Sequence, residues 1–589
     1  MRNFQKLVAV LALSGLCFAM PAPSDSGAPK KSTKVKAVKK DPTAEQLKDL
    51  KQAIEQQQAA TQQLQEQLKQ TQQQLQQTQQ QLSQAQATAN AANAKVATVE
   101  TNTNVQVQKV QSDLSDVKTA LSTTEATVAK DEKKVDYLEH PNSLAYKGIR
   151  ITPGGFLEMT SYWRAHATVS DQATPFQAIP LEQQVNGAYN ANLTELGMTA
   201  RDSRIALRAD ADAGTTKLAG YFEMDFFGAA PTANPNQTTS YNPRMRQGWG
   251  RAKFANGWTI TGGQMWNLIT LNRKGTDADN SNLWIPNIIE AQYSVGYDWG
   301  RFAEVRISKQ INPNLSVAIA VANPSYNLAF GNTGVVGLGV AGNGLLATTV
   351  ANISTNLAPD SIFKLAYDSP KLGHFEVKGI ERFFRDRVAS TTTVPGWSNT
   401  AIGGGVGAGA IIPVVSKKVD FIAQGLWGKG ISRYQDAGTV DFVVHSTPDH
   451  NLQPLKGFSV LTGFETHPNK KTEIDLIYGQ EYYYKDLYTT TTGAIAGYGA
   501  PALLASGCYA EASSSANCTV VNKTVWNVKL YGYYDLYKGP MGTLRYGAEV
   551  DYVERQTWTG TGTATSATGF SAPKGNDKTG FVTMRYIFP

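Results

Sequence analysis

The sequence predicts an all-β transmembrane barrel of about sixteen antiparallel strands, preceded by a long N-terminal α-helical coiled coil. Three observations lead there. From residue 155 onward, segments of about ten residues set an apolar face against a charged one, as a strand does with lipid on one side and water on the other. Their connections run short, long, short, long, the habit of a barrel with turns at one end and loops at the other. Between 47 and 138, leucine, valine, alanine and threonine recur at 3,4 spacing without a proline or glycine, which is a coiled-coil seam.

Residues 1–22 carry Arg2 and Lys6, an apolar run and then small residues, a secretory signal cleaved near Ala19 or Ala22. The run from Leu7 to Met20 is short for a spanning helix. Leu16 before Cys17 argues against a lipoprotein signal, so Cys17 is expected to leave with the peptide. Residues 23–46 form a basic linker whose 30–40 stretch holds six lysines and no acid. The formal net charge of +7, less those six and Arg2 and Lys6, leaves −1 elsewhere, so no nucleic-acid partner is expected. The lysine run reads as a solvated tail, with peptidoglycan as the polymer its charge would suit.

The coiled coil covers 47–139. Its seam passes through Leu47, Leu50, Ile54, Leu64, Leu68, Leu75 and Leu82 to Val96 and Val99, and slips near 103–107. It resumes at Val110, Leu114, Val117, Leu121, Val128, Val135 and Leu138. The glutamine-rich tract 52–86 also fits disordered low complexity, but glutamine and alanine favour helix and the leucines hold register. Threonine and alanine weaken the seam, so it is expected to need a partner that gathers about three copies. A linker, 140–154, leads to the barrel domain, 155–589.

The strand segments are 155–169, 203–210, 216–226, 244–254, 258–267, 301–309, 315–321 and 361–367, then 374–384, 401–413, 418–428, 457–466, 472–484, 524–537, 543–557 and 578–588. The first puts Leu157, Met159 and Trp163 on one face and Glu158, Tyr162, Arg164 and His166 on the other. The last opposes Val582, Met584, Tyr586 and Phe588 to Thr583 and Arg585, with Pro589 following the closing aromatic. Trp163, Trp249, Trp266 and Trp526 are expected on outer faces. A soluble sandwich would bury the apolar face, and no fixed short repeat supports a β-helix.

Turning the polar faces inward gives a pore wall. Arg204 and Arg208 lie on the second segment, Lys217, Glu223 and Asp225 on the third, and Arg244 and Arg246 on the fourth, where Met245 and Trp249 face out. Arg306 and Arg382 come from the sixth and ninth, and Arg545, Glu549 and Asp551 from the fifteenth. The pore-lining, substrate-binding candidates are Arg204, Arg208, Lys217, Arg244, Arg246, Arg306 and Arg382. A guanidinium is a planar fork that matches carboxylate or phosphate oxygens, so such a wall guides anions; the same arginines can also brace the barrel by pairing with acids.

The loop after the fifth segment is the expected constriction, carrying Arg273, Lys274, Asp277 and Asp279. Tyrosine runs at 481–486 and 531–537 would suit an aromatic slide for sugars, though interfacial girdles explain them more simply. Cys508 and Cys518, ten residues apart in one polar loop, are expected to form a disulfide in an oxidising compartment. Of the six histidines only His445 and His450, with Asp449, lie close together; no catalytic group, metal or cofactor is expected.

The stretch RDSRIALRADADAGTTKLAGYFEMDFFG (201–228), the strand RMRQGWGRAKF, the run ITGGQMWNLITL (260–271) and the glutamine-rich helix together resemble the DcaP-like porin family. In plan they are also related to phosphate-selective porins. The resemblance implies a homotrimer of sixteen-stranded barrels in the bacterial outer membrane, in contact with its lipid, with the coiled coil periplasmic and the long loops extracellular. It implies passive uptake of small anionic solutes such as dicarboxylates, with Arg204, Arg208, Arg244 and Arg246 on the basic strands. Two other readings stay open: a sugar-selective channel, and a structural tether from outer membrane to cell wall through the coiled coil. The loops 323–360 and 485–524 match no motif, so the solute is not fixed.

Overall fold

The computed structural model describes residues 112–125 and, from 142 to 589, all but 169, 182–183, 186–187, 190–192, 229–241, 328–329, 332–355, 389–392, 394, 446–450 and 511–514. The chain divides into two units, Met1–Asp136 and Tyr137–Pro589. In the first, residues 112–125 form an α-helix that carries Leu114 and Leu121, seven apart and both exposed. The expected signal, the lysine linker and the remainder of the expected coiled-coil segment lie outside the described residues, as do Asp449, His450 and most of the 323–360 loop.

The second unit is a closed antiparallel barrel, with sixteen wall strands among the described residues. They are β1 (Ile149–Arg164), β2 (Arg204–Ala213), β3 (Thr216–Asp225), β4 (Arg244–Lys253), β5 (Trp258–Trp266), β6 (Arg301–Asn312), β7 (Leu315–Ala322) and β8 (Asp360–Ser369). Then follow β9 (Gly373–Val388), β10 (Trp397–Val415), β11 (Val419–Lys429), β12 (Lys456–Asn469), β13 (Thr472–Tyr483), β14 (Asn522–Gly539), β15 (Gly542–Thr557) and β16 (Lys574–Ile587). Each pairs with the next, and β16 returns to β1 in the register Phe156↔Ile587 to Arg164↔Thr579. Closure removes every free edge of the wall, which hydrocarbon requires because nothing there can satisfy an unpaired amide. A short piece, Glu195–Thr199, continues the line of β2 beside β1 through Thr160↔Thr199.

The two faces follow the alternation. Leu157, Met159 and Trp163 are exposed on the outside, whereas Glu158, Tyr162 and Arg164 are buried inside. Three expectations need correcting. β1 begins at Ile149, inside the predicted linker. Pro153 is tolerated because it pairs only with Leu207 of β2, its other edge lying between the contacts to Leu144–Tyr146 and to β16, and proline needs an edge with no amide to donate. Trp249 points inward rather than outward. β4 carries a β-bulge, so that Glu223 faces Gln247 while Met224 faces Met245. The extra residue, Arg246, reverses the side-chain alternation beyond it, and Trp249 packs on Tyr221 with ring centroids 5.5 Å apart. Trp266 is also buried, because the chain turns into the barrel there.

What fills the barrel is the 267–300 loop. Leu271, Leu283, Trp284, Ile288, Ile289, Tyr293 and Tyr297 form an apolar cluster with inward residues of the far wall, among them Ile422, Leu461, Ile477 and Tyr531. The wall makes room with small residues. A Cβ at Gly409 would lie 2.5 Å from Leu271 Cδ1, and one at Gly479 would overlap the carbonyl oxygen of Val295. A segment this apolar is unusual for a surface loop, and burial inside the barrel is what its composition demands.

Candidate functional site

The site is built where β2, β3 and β4 face the loop. Period-2 alternation turns Arg204 and Arg208 of β2 and Arg244 and Arg246 of β4 to the inside, and the bulge on β4 adds Gln247 beside Arg246. Arg246 is buried. It donates to Glu223 at 2.6 Å, to Asp225 at 2.7 Å and to the Tyr293 hydroxyl of the loop at 3.0 Å. Arg244 forms a fork on Asp225 at 3.0 and 2.6 Å. Arg208 spans Asp210 at 2.8 Å and Asp279 of the loop at 2.8 Å, and Arg251 reaches the same Asp279 at 3.0 Å. Arg204 donates to Asp202 at 3.0 Å and lies over the Phe156 ring.

These pairs are unevenly exposed. The Arg204 side chain is 21% exposed against 5% for Asp202, and Arg244 is 42% exposed against 0% for Asp225. Arg208 is 30% exposed, its partner Asp279 10% and Asp210 33%. In the Arg204–Asp202, Arg244–Asp225 and Arg208–Asp279 pairs the cation is more exposed than the anion, whereas Arg246 is less exposed than Glu223, at 3% against 9%.

The loop is seated by charges that have left the water altogether. Lys364 and Lys378, fully buried on β8 and β9, donate to the carbonyls of Thr270 and Ile269 at 2.6 Å each, and Lys364 also binds Glu376 at 2.8 Å. On the opposite side Lys529 of β14 holds Glu290 at 2.6 Å, Glu549 at 2.8 Å and the Tyr293 carbonyl at 2.7 Å. Burial opposes ionisation of Asp279, but hydrogen bonding to Arg208 and the charges of Arg208 and Arg251 outweigh it and hold the carboxyl at about 2. Asp298, farther along the loop, is pushed the other way, to about 6, because burial dominates the Lys378 charge and the Ser459 hydrogen bond.

The structure thus divides the predicted residues. Arg204, Arg208 and Arg244 share one wall, and Lys217 stands exposed at the turn end of β3. Arg246 is on that wall but behind its surface. Arg306 and Arg382, expected in the pore, are buried braces: Arg306 binds Glu304 and the Thr276 and Trp266 carbonyls, and Arg382 binds Asp360 and Asp441. In the loop, Asp279 meets the arginine wall, Asp277 lies 3.7 Å from Lys253, Arg273 binds Glu465 at 2.5 Å and Lys274 is exposed. Cys508 and Cys518 are joined as a disulfide with Cα atoms 4.8 Å apart, and His445 bonds Asp486 at 2.5 Å. Arg201, in the turn before β2, lies with Arg244 over the Phe227 ring and binds Asp171 at 3.0 Å. Its position in the RDSR run two residues ahead of Ser203 was the available signal.

A closed sixteen-strand antiparallel barrel with its third long loop folded into a charged lumen has the fold of a porin-type outer-membrane channel, which supports an outer-membrane location. Among solved structures the chain is similar to the outer membrane channel DcaP of Acinetobacter baumannii, with a TM-score of 0.50 and 14% identity over 75% of this chain and 99% of that one. It is also similar to an anion-selective porin from Comamonas acidovorans (TM-score 0.37, 12% identity, 75% and 100% covered) and to OmpF of Salmonella typhi (0.37, 12%, 76% and 100%). At these identities the likeness is one of fold, and the neighbours are channels rather than enzymes. No family model and no curated protein matches the chain.

Proposed function

We propose that this protein is an outer-membrane porin through which small anions, dicarboxylates foremost, diffuse passively along the arginine wall of β2 and β4. The observation that supports it most is the uneven exposure of Arg204 and Arg244 against Asp202 and Asp225. A passing carboxylate would replace part of its hydration with guanidinium donors already oriented by their own acids. The barrel works as a homotrimer, with the N-terminal coiled coil gathering the three copies in the periplasm. No covalent step is involved.

The test is the reversal potential of the full-length protein in planar bilayers under a KCl gradient. The wild type is expected to prefer chloride and to be blocked by added dicarboxylate. The triple variant R204Q/R208Q/R244Q is expected to lose most of both effects. Unchanged selectivity in that variant would remove the arginine wall from the mechanism, and block by maltooligosaccharide alone would favour the sugar channel.

A second expectation concerns acid. The Asp279 carboxyl sits at about 2 against an ordinary 3.8, so its contribution to holding the loop is complete above about pH 4 and is lost as pH falls towards 2. Conductance is expected to rise across that window as the loop parts from Arg208 and Arg251. D279N should show the higher conductance already at pH 7 and lack the step. A step retained in D279N would assign it to another group.

A further inference from the structure

We infer a binding site for a phosphate-bearing anionic lipid on the outer wall, between β9 and β12. It rests on the same membrane-embedded reading, but on none of the pore residues. The outward faces of β10 and β11 carry only Ala408, Ala410, Ala423 and Gly425 where neighbouring strands carry large side chains, leaving an apolar groove of about 870 Å³ bounded at its upper end by Trp427 and Phe458. A groove open to hydrocarbon will be filled by hydrocarbon, so acyl chain is the matter that fits it.

The head of the groove identifies the rest of the lipid. Two residues beyond the Trp427↔Phe458 pair, toward the long loops, Lys429 and Lys456 stand directly opposite each other on β11 and β12. Like charges in that position repel and weaken a sheet. Snorkelling toward the interface explains a single lysine at a membrane rim; it does not explain two placed as cross-strand partners. Lys456 Nζ also lies over the rings of Trp427 and Tyr484, at 5.1 and 4.7 Å. The aromatic surface continues through Tyr482 to Trp558, which has Lys485 and Lys523 over its ring at 4.7 and 5.2 Å. Among the described residues none of these four lysines makes an ion pair. An anion between Lys429 and Lys456 relieves their repulsion, and a phosphate attached to acyl chains fills the groove with the same molecule. An amphipathic anion of that kind is a phosphorylated membrane lipid.

The experiment is native mass spectrometry of the full-length detergent-purified protein mixed with lipid A, with lipid A stripped of its phosphates, or with phosphatidylcholine. The wild type is expected to retain the phosphorylated lipid at least tenfold better than the other two. K429Q/K456Q should abolish that preference, and A408W, which fills the groove floor, should reduce retention of every acylated probe. Equal retention of the three lipids, or a preference unchanged in K429Q/K456Q, would overturn the site. Barrel integrity is checked by heat-modifiable migration, and conductance of both variants is expected to match the wild type because the residues face away from the lumen. A chain that binds the lipid without conducting would sink the porin reading and leave this one standing.

Discussion

Replacing Lys529 with methionine is expected to unseat the 267–300 loop and to give the largest loss of stability of any single change in the barrel. The ammonium is fully buried and serves Glu290 of the loop, Glu549 and Asp551 of β15, and the Tyr293 carbonyl. Without it, three carboxylates remain inside with no cation, and removing one partner of a buried pair costs about 3–5 kcal/mol. The loop is the movable member, so the strain is relieved by its leaving the wall. Single-channel conductance should rise, and the temperature of heat-modified migration should fall. Restoring part of the balance with K529M/E290Q/E549Q is expected to recover stability. A K529M channel of normal conductance and normal heat resistance would show that the loop is held by its apolar cluster alone.

Replacing Arg246 with alanine is expected to reverse the selectivity of the wall. Arg246 covers Glu223 and Asp225 and ties both to Tyr293. Its loss leaves Glu223 without a guanidinium partner and half-frees Asp225, at a cost of the same order, about 3–5 kcal/mol. Those carboxylates would then face the path beside Arg244, and the reversal potential should shift towards cation preference. R246K keeps the charge but not the fork, and should fall between. R246A/E223Q/D225N is expected to return towards anion preference, since both uncovered charges are gone. If R246A keeps the wild-type reversal potential, the path does not run past β3 and β4.

Much of the barrel is legible because its signal is local. A strand with lipid outside and water or protein inside repeats every two residues, and Leu157 and Glu158, or Val582 and Thr583, declare their sides without reference to any other segment. The arginine wall follows from the same parity on β2. The rule fails where pairing intervenes. Parity alone points Trp249 outward, and the β4 bulge that turns it inward exists only in register with β3. Pro153 looks like a strand breaker until its unpartnered edge is known.

The sequence by itself determined the barrel class, the strand order, the two faces and which strands bear arginine, because alternation and turn chemistry act over a few neighbouring residues. Only the tertiary structure decided which of those arginines stay exposed. Arg204, Arg208 and Arg244 remain partly exposed, whereas Arg246, Arg306 and Arg382 are sealed beneath loops that arrive from distant parts of the chain. A buried guanidinium needs its acids and carbonyls brought to it in three dimensions, and no spacing along the chain encodes where the 267–300 loop comes to rest.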